Sequence, residues 1–243
     1  MYRPRAYVPV LLAAGVLLAG CGGGGGHKAT PSSSPPGRTT ASPSPTPSYA
    51  ADRVAAAFLS ARDIDPRIKE QPPSTPALKE HAVPSCSLSA IKPAGGPDVK
   101  VREFNTSQYY GANYGEIALT YPDAATAAAM FATIRTKVMA CPAKKHIPQK
   151  RLPGNRIALA HDDTWHTTDE TTPGWSHVRG FEKALYAPSA SIINVIYRSF
   201  DYVNRGNVVL VSMYWERVAP KASGDAITKK GTSLLTKQLG RLP

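Results

Sequence analysis

Long hydrophobic runs are missing from this chain of 243 residues. The apolar stretch at the N-terminus, Val8 to Ala19, is broken by Pro9 and Gly15 and at 12 residues is too short to span a bilayer as a helix. A multispanning membrane protein is therefore excluded, and the lack of any fixed glycine period or sustained heptad pattern excludes a collagen or a long coiled coil. Cysteine is scarce, with three in the whole chain, and negative charge is short, with 17 Asp or Glu against 29 Lys or Arg. Several sequence signatures are also absent: the phosphate-binding P-loop, the dinucleotide fingerprint, Gly-x-Ser-x-Gly and His-Glu-x-x-His. No catalytic residue is therefore assigned and no cofactor is expected.

Proline and glycine, by contrast, are abundant and unevenly placed. Residues 22–48 hold 22 Gly, Pro, Ser or Thr among 27 positions, with two alanines as the only hydrophobics, so no core forms there. Upstream, Arg3 and Arg5 precede the apolar run, which closes in Leu18-Ala19-Gly20-Cys21. This resembles the lipobox of bacterial lipoproteins, where small residues admit the signal peptidase and the cysteine becomes the acylated N-terminus. The alternative is an ordinary secretory signal carrying a chance cysteine. The expected organisation is a lipoprotein signal peptide over 1–20, a lipidated, disordered tether over 21–48 starting at Cys21, and one folded domain over 49–243. Acyl chains would hold the protein on the outer face of the cell membrane. A flexible tether of this length reaches about 30 Å, and further where Ser-Pro alternation stiffens it. The Ala, Gly and Pro bias suits a high-GC actinobacterial source.

With Cys21 assigned to lipid, Cys86 and Cys141 remain, and in an exported domain pairing is the default. From Asp123 onward, Ala127, Phe131, Ile134 and Val138 fall at alternating steps of four and three, a helix stripe, and one further step of three lands on Cys141. Its sulfur should face the core, where the loop bearing Cys86 can meet it. Closing that loop would stabilise by roughly 4 kcal/mol. A free thiol or a metal pair is the alternative.

The domain reads as α+β, an antiparallel sheet of about five strands packed with three helices. Helices are expected over 52–62, over 123–141 with Asp123 as N-cap, and over 223–239. Strands are expected over 99–104 and 114–121, and in the dense stretch from Trp175 to Val218. Residues 65–98 read as irregular and 142–163 as a basic loop. Asn204 to Asn207 reads as a hairpin turn with these two asparagines facing each other. Ile196, Arg198, Phe200 and Tyr202 then share the core face with Val209, Val211, Met213 and Trp215.

Taken together, the exported cysteine pair, the Tyr121-Pro122-Asp123-Ala124-Ala125 entry to a helix ending Ala140-Cys141-Pro142, and the late Gly206-Asn207-Val208-Val209 strand start resemble the PknH-type extracellular sensor domain. That domain is the outer part of some mycobacterial serine/threonine kinases and recurs in free actinobacterial lipoproteins. The resemblance covers roughly residues 50–242. It implies an antiparallel sheet packed with helices, a groove for a ligand, and no catalysis. This chain departs from the family in having no kinase and one cysteine pair where members often have two. Ligand binding carries over; signalling does not.

Arg198 stands out as a guanidinium on an otherwise apolar strand face, so it must be paired or lie at an opening. Pairing with a buried acid is one reading. In the other, Arg198 lines a groove with Tyr197, Trp215 and Trp175 and grips an anionic or glycan ligand. The order Ser89-x-x-Lys92, Tyr202-x-Asn204, Lys229-x-Gly231 imitates a penicillin-binding enzyme. Pro93 and two glycines follow Lys92 at once, however, and Lys229 sits in a helical pattern. The His161-Asp162-Asp163-Thr164-Trp165-His166 run gathers imidazoles and carboxylates without the spacing of a zinc or calcium site, so no metal is assigned.

Of the formal net charge of +12, +8 belongs to residues 49–243. Lys144, Lys145, Lys150, Arg151 and Arg156 form one basic cluster, and Lys229, Lys230 and Lys237 another along the last helix. Nucleic acid is not an expected partner outside the cell, whereas anionic lipid, a wall polymer or a small envelope ligand is. The reading reached is a non-enzymatic, membrane-anchored envelope lipoprotein with a sensor-like, ligand- or partner-binding domain. Its rivals are a cell-wall or lipid-processing enzyme with dispersed catalytic residues, and a structural lipoprotein contacting anionic wall polymers.

Overall fold

The computed structural model describes residues 46–106, 111–190 and 193–242. The segments expected to be a signal peptide and a tether, with Cys21 between them, lie outside the described residues except for 46–48.

The described residues form one compact unit. It opens with two short helices, α1 (Ala51–Ala56) and α2 (Ala61–Ile64), then a short strand β1 (Lys69–Gln71) and a one-turn helix α3 (Pro76–Lys79). Strands β2 (Val83–Pro84) and β3 (Ala90–Ile91) flank a tight turn at Cys86–Leu88. The hairpin β4 (Asp98–Asn105) and β5 (Asn113–Thr120) leads into the long helix α4 (Ala124–Met139). After it come β6 (Lys144–Ile147), β7 (Lys150–Leu152) and β8 (Arg156–Ala158). Two long hairpins, β9 (His161–Thr172) with β10 (Trp175–Tyr186) and β11 (Val195–Arg205) with β12 (Val208–Val218), precede the final helix α5 (Asp225–Leu239).

Eight strands build one antiparallel sheet in the order β1-β4-β5-β12-β11-β10-β9-β6. The class is the expected α+β, but the sheet has eight strands rather than five, and five α-helices occur among the described residues rather than three. The undercount has a local cause. β9 reads HDDTWHTTDETT, its outward positions polar throughout, so only Asp163 and Trp165 on its inner face are buried. A strand so poor in β-branched apolar residues imitates a loop, and β6, β7 and β8 were hidden with it in the basic stretch. The helix expected over 52–62 is split at Ser60, which caps α2 with Asp63.

Helix α4 keeps its expected frame: the Asp123 carboxylate accepts from the Thr126 N–H at 2.7 Å, and Ala127, Phe131, Ile134 and Val138 are buried. The stripe leads to Cys141, which is bonded to Cys86.

The central hairpin turns through two residues, Gly206-Asn207, so Arg205 faces Val208 and Asn204 faces Val209 rather than Asn207. The register differs by two residues, an even shift, and so leaves every side chain on its expected face. Gly206 has φ +55°, and a Cβ there would meet the Pro47 carbonyl oxygen at 1.9 Å. Asn207 is buried and clamps the incoming chain. Its Nδ2 donates to the carbonyls of Tyr49 and Tyr121 at 3.0 and 2.8 Å, and its Oδ1 accepts from the Tyr49 N–H at 2.7 Å.

Helices cover both faces of the sheet. On one, α4 packs over Phe200, Tyr202, Val209, Val211 and Met213, the core face expected from the hairpin pattern. On the other, α5 and α1 pack over Val203, Val208 and Leu210, while Tyr114, Tyr197 and Tyr214 join Ile227 and Leu234.

Candidate functional site

Strand alternation divides the four residues proposed from sequence to line one groove. Arg198 and Trp215 are cross-strand partners on the α4 face. Tyr197 points to the α5 face, buried against Phe181 and donating its hydroxyl to the Ala222 carbonyl at 3.2 Å. Trp175 is also on the α5 face, against Leu235 and Leu239. Adjacent residues of a strand point to opposite sides, so Arg198 and Tyr197 could not have met in one groove.

A cavity of about 310 Å³ lies beside Arg198 and Trp215, bordered by Ser74, Glu103, Asn105 and Asn113. Glu103 is buried, and its carboxylate accepts from the Ser74 N–H, the Ser74 hydroxyl and the Thr75 N–H at 3.0, 2.6 and 2.9 Å. Arg198 donates to the carboxylate of its other cross-strand neighbour, Glu182, which is wholly buried and also accepts from the Ser87 N–H. Burial pushes the Glu182 carboxyl above its ordinary value, while the charge of Arg198 pulls it back. Buried Asp163 lies behind, accepting from the Ser87 hydroxyl at 2.6 Å. Arg198 is therefore paired with a buried acid and also borders an opening. Its charge is already matched, with Asp163 and Glu103 close by, which disfavours an anion here. Hydroxyls, amides and one indole edge suit a neutral ligand rich in hydrogen-bonding groups.

A second cavity, of about 350 Å³, opens on the α5 face at the Trp175 end of the sheet. Thr172, His177, Arg179 and Glu170 line its polar wall, and a connected row ties them to Asp201 buried behind. The Thr172 Oγ1 lies 2.7 Å from His177 Nδ1, His177 Nε2 lies 2.9 Å from Asp201 Oδ1, and Arg179 Nε donates to the same oxygen at 2.7 Å. Arg179 also approaches Glu170 at 3.4 Å. Leu235 and Leu239 of α5 form the apolar wall, and the Arg205 guanidinium sits 5.9 Å from the Trp175 ring centre. Sequence reading missed this set. The available signal was Asp201, as anomalous on the α5 face of β11 as Arg198 is on the other.

The remaining candidates are dispersed. Along β9, His161, Asp163 and Trp165 project to one side and Asp162, Thr164 and His166 to the other. Among the described residues no group of three or more His, Cys, Asp or Glu is placed to hold a metal ion. Tyr202 is buried under α4 with its hydroxyl donating to the Pro84 carbonyl, whereas Lys229 rides on α5 beyond the opposite face of the sheet. The penicillin-binding order is thus not brought together. Lys144 and Lys145 lie on β6, an edge strand, where charge also blunts edge-to-edge pairing.

These elements define an α+β domain built on one large antiparallel sheet with helices on both faces and a cavity on each. Among solved structures, the extracellular domain of PknH from Mycobacterium tuberculosis is similar, with a TM-score of 0.54 at 11% identity over 81% of this chain and 100% of that one. An uncharacterised Mycobacterium smegmatis protein gives a TM-score of 0.37 at 8% identity over 78% of this chain and 95% of its own. At such identities the likeness to the PknH domain is one of fold alone, and it agrees with the fold that the sequence resemblance implied. No protein-family model matches the chain, and no curated protein matches it.

Proposed function

We propose that the protein is a non-enzymatic, lipid-anchored envelope protein whose sensor-like domain binds a small neutral ligand, a glycan or an amide-bearing fragment, between Trp215 and Asn113. The lipobox at Cys21 supports the anchor, and the fold shared with an extracellular domain supports the location. Among the described residues no helix is long and apolar enough to cross a membrane. The observation that carries the binding reading is the cavity of about 310 Å³ beside Arg198 and Trp215, which offers an aromatic edge, two amides and a buried carboxylate on one wall.

Titration with N-acetylglucosamine oligomers and soluble muropeptides tests it. Trp215→Ala should abolish binding; because Trp215 packs half-buried against the core, the melting temperature falls as well, and a native circular-dichroism spectrum at the titration temperature shows that the fold is kept. Binding unaffected by Trp215→Ala, or no binding of either probe, sinks the reading. Arg198→Ala is the poorer test, since it strands Glu182 as an uncompensated buried charge at a cost of about 3–5 kcal/mol.

One observation favours a second reading, an envelope hydrolase. Thr172, His177 and Asp201 are spaced as nucleophile, base and orienting carboxylate. A fluorophosphonate probe should then label Thr172 and lose that label in His177→Ala; an unlabelled protein ends this reading.

A further inference from the structure

The α5-face cavity has a chemistry that the neutral-ligand site does not share. Arg179 is divided between Asp201 and Glu170. Arg205, at the mouth, pairs with no carboxylate among the described residues, and its partner is the face of Trp175. A guanidinium held over an indole, beside the aliphatic wall of Leu235 and Leu239, complements an anion carried on an apolar body. Inorganic phosphate would meet the guanidinium but leave that wall wet.

Position narrows the choice. The cavity opens where the chain enters the domain: Pro47 and Gly206 line the adjoining cleft together with Trp175 and Arg205, and Tyr49 stacks on Trp175 with ring centres 6.5 Å apart. Tyr49 and Trp175 are themselves buried, so they hold Arg205 at the rim of the cavity, on the side of the domain that the expected membrane-anchored segment enters. A volume of about 350 Å³ holds a phosphate head group and its first methylenes, not whole acyl chains. The geometry points to a docking pocket for the phosphate head group of an anionic lipid, seated between Arg205 and the Leu235–Leu239 wall. It uses a different cavity from the neutral-ligand site, and the two stand or fall separately.

The domain Ser44–Pro243 contains all three core clusters and the disulfide, so it serves as the test protein without the segment before it. Monomeric dihexanoylphosphatidylglycerol is titrated against it, with dihexanoylphosphatidylcholine and inorganic phosphate as comparators, while the indole N–H resonance of Trp175 is followed. The expected result is a saturable shift with phosphatidylglycerol and binding about tenfold weaker for both comparators. Arg205→Glu should weaken phosphatidylglycerol binding by about tenfold or more and leave the Trp215 resonance in place. Arg205→Gln, which keeps a side chain over Trp175 and removes the charge, should also lose affinity. Equal binding of inorganic phosphate would reduce the site to a bare anion pocket and overturn the proposal. No response to phosphatidylglycerol, or a response indifferent to both Arg205 variants, would overturn it as well.

Discussion

Asn207 shows how much one side chain can organise. It follows the hairpin glycine, and its amide closes three hydrogen bonds to two segments far away in sequence, at Tyr49 and Tyr121. Its own carbonyl accepts a fourth, from the Tyr121 N–H at 2.8 Å. Truncation would bury a donor and two acceptors without partners, each such loss costing about 1–3 kcal/mol. Asn207→Ala should therefore destabilise by at least about 2 kcal/mol. Hydrogen exchange should show faster exchange at the Tyr49 amide before global unfolding; an unchanged Tyr49 rate would refute the clamp. Asn207 was visible in the sequence as a turn residue, but its partners were not, because they lie 158 and 86 positions away. The same holds for Arg198: its oddity on an apolar strand was readable, while Glu182 became its partner only through strand pairing.

At the scale of elements, the Cys86–Cys141 bridge ties the turn between β2 and β3 to the C-terminal end of α4. The enclosed loop has a sequence separation of 55 residues, so its loss from the unfolded-state constraint is worth about 4 kcal/mol. The double variant Cys86→Ser, Cys141→Ser should melt on the order of 10 °C lower than the native domain. The turn also carries the Ser87 N–H to Glu182 and the Ser87 hydroxyl to Asp163, so the bridge holds a donor in place for each of two buried carboxylates. Helices α4 and α5 were legible because each shows apolar spacing over at least 15 residues. Helix α3 and the edge strands β1 and β6 were not, since an element of three or four residues spans at most two repeats of its own pattern.

Over the whole molecule, acid stability should be unusual. Burial pushes Glu116 up to about 8, against the weaker pull of Arg102. Its Oε2 accepts from Gln238 at 2.9 Å and lies 3.3 Å from the Tyr114 hydroxyl, while its Oε1 has no partner. In the unfolded chain this carboxyl ionises near its ordinary value of 4.5. Between those values the folded state binds more protons, so stability falls as pH rises through the window from about 4.5 to about 8. Asp63 acts in the opposite sense. Burial raises it, but hydrogen bonds from Lys237, Ser60 and Arg241 together hold it well below the usual carboxylate range. Its contribution is lost as pH falls below about 4. The melting temperature should therefore peak near about pH 5 and decline towards pH 8. Glu116→Gln should flatten that decline and raise the melting temperature at pH 8. A native domain whose melting temperature is level from pH 5 to pH 8 would contradict the assignment.

By itself the sequence determined what depends on near neighbours: the α4 and α5 stripes, the Asp123 cap, the alternation of the central hairpin, and the placement of Cys141 at the end of a buried helix face. These patterns repeat within a few residues, so they can be read locally. Only the tertiary structure decided which strands lie side by side, and with that the pairing of Arg198 with Glu182 and the row from Thr172 through His177 and Asp201 to Arg179. It also separated Arg198 and Trp215 from Tyr197 and Trp175, turning one expected groove into two cavities on opposite faces. The physical reason is that strand register and sheet order are set by side chains meeting across the sheet, and those meetings have no fixed separation along the chain.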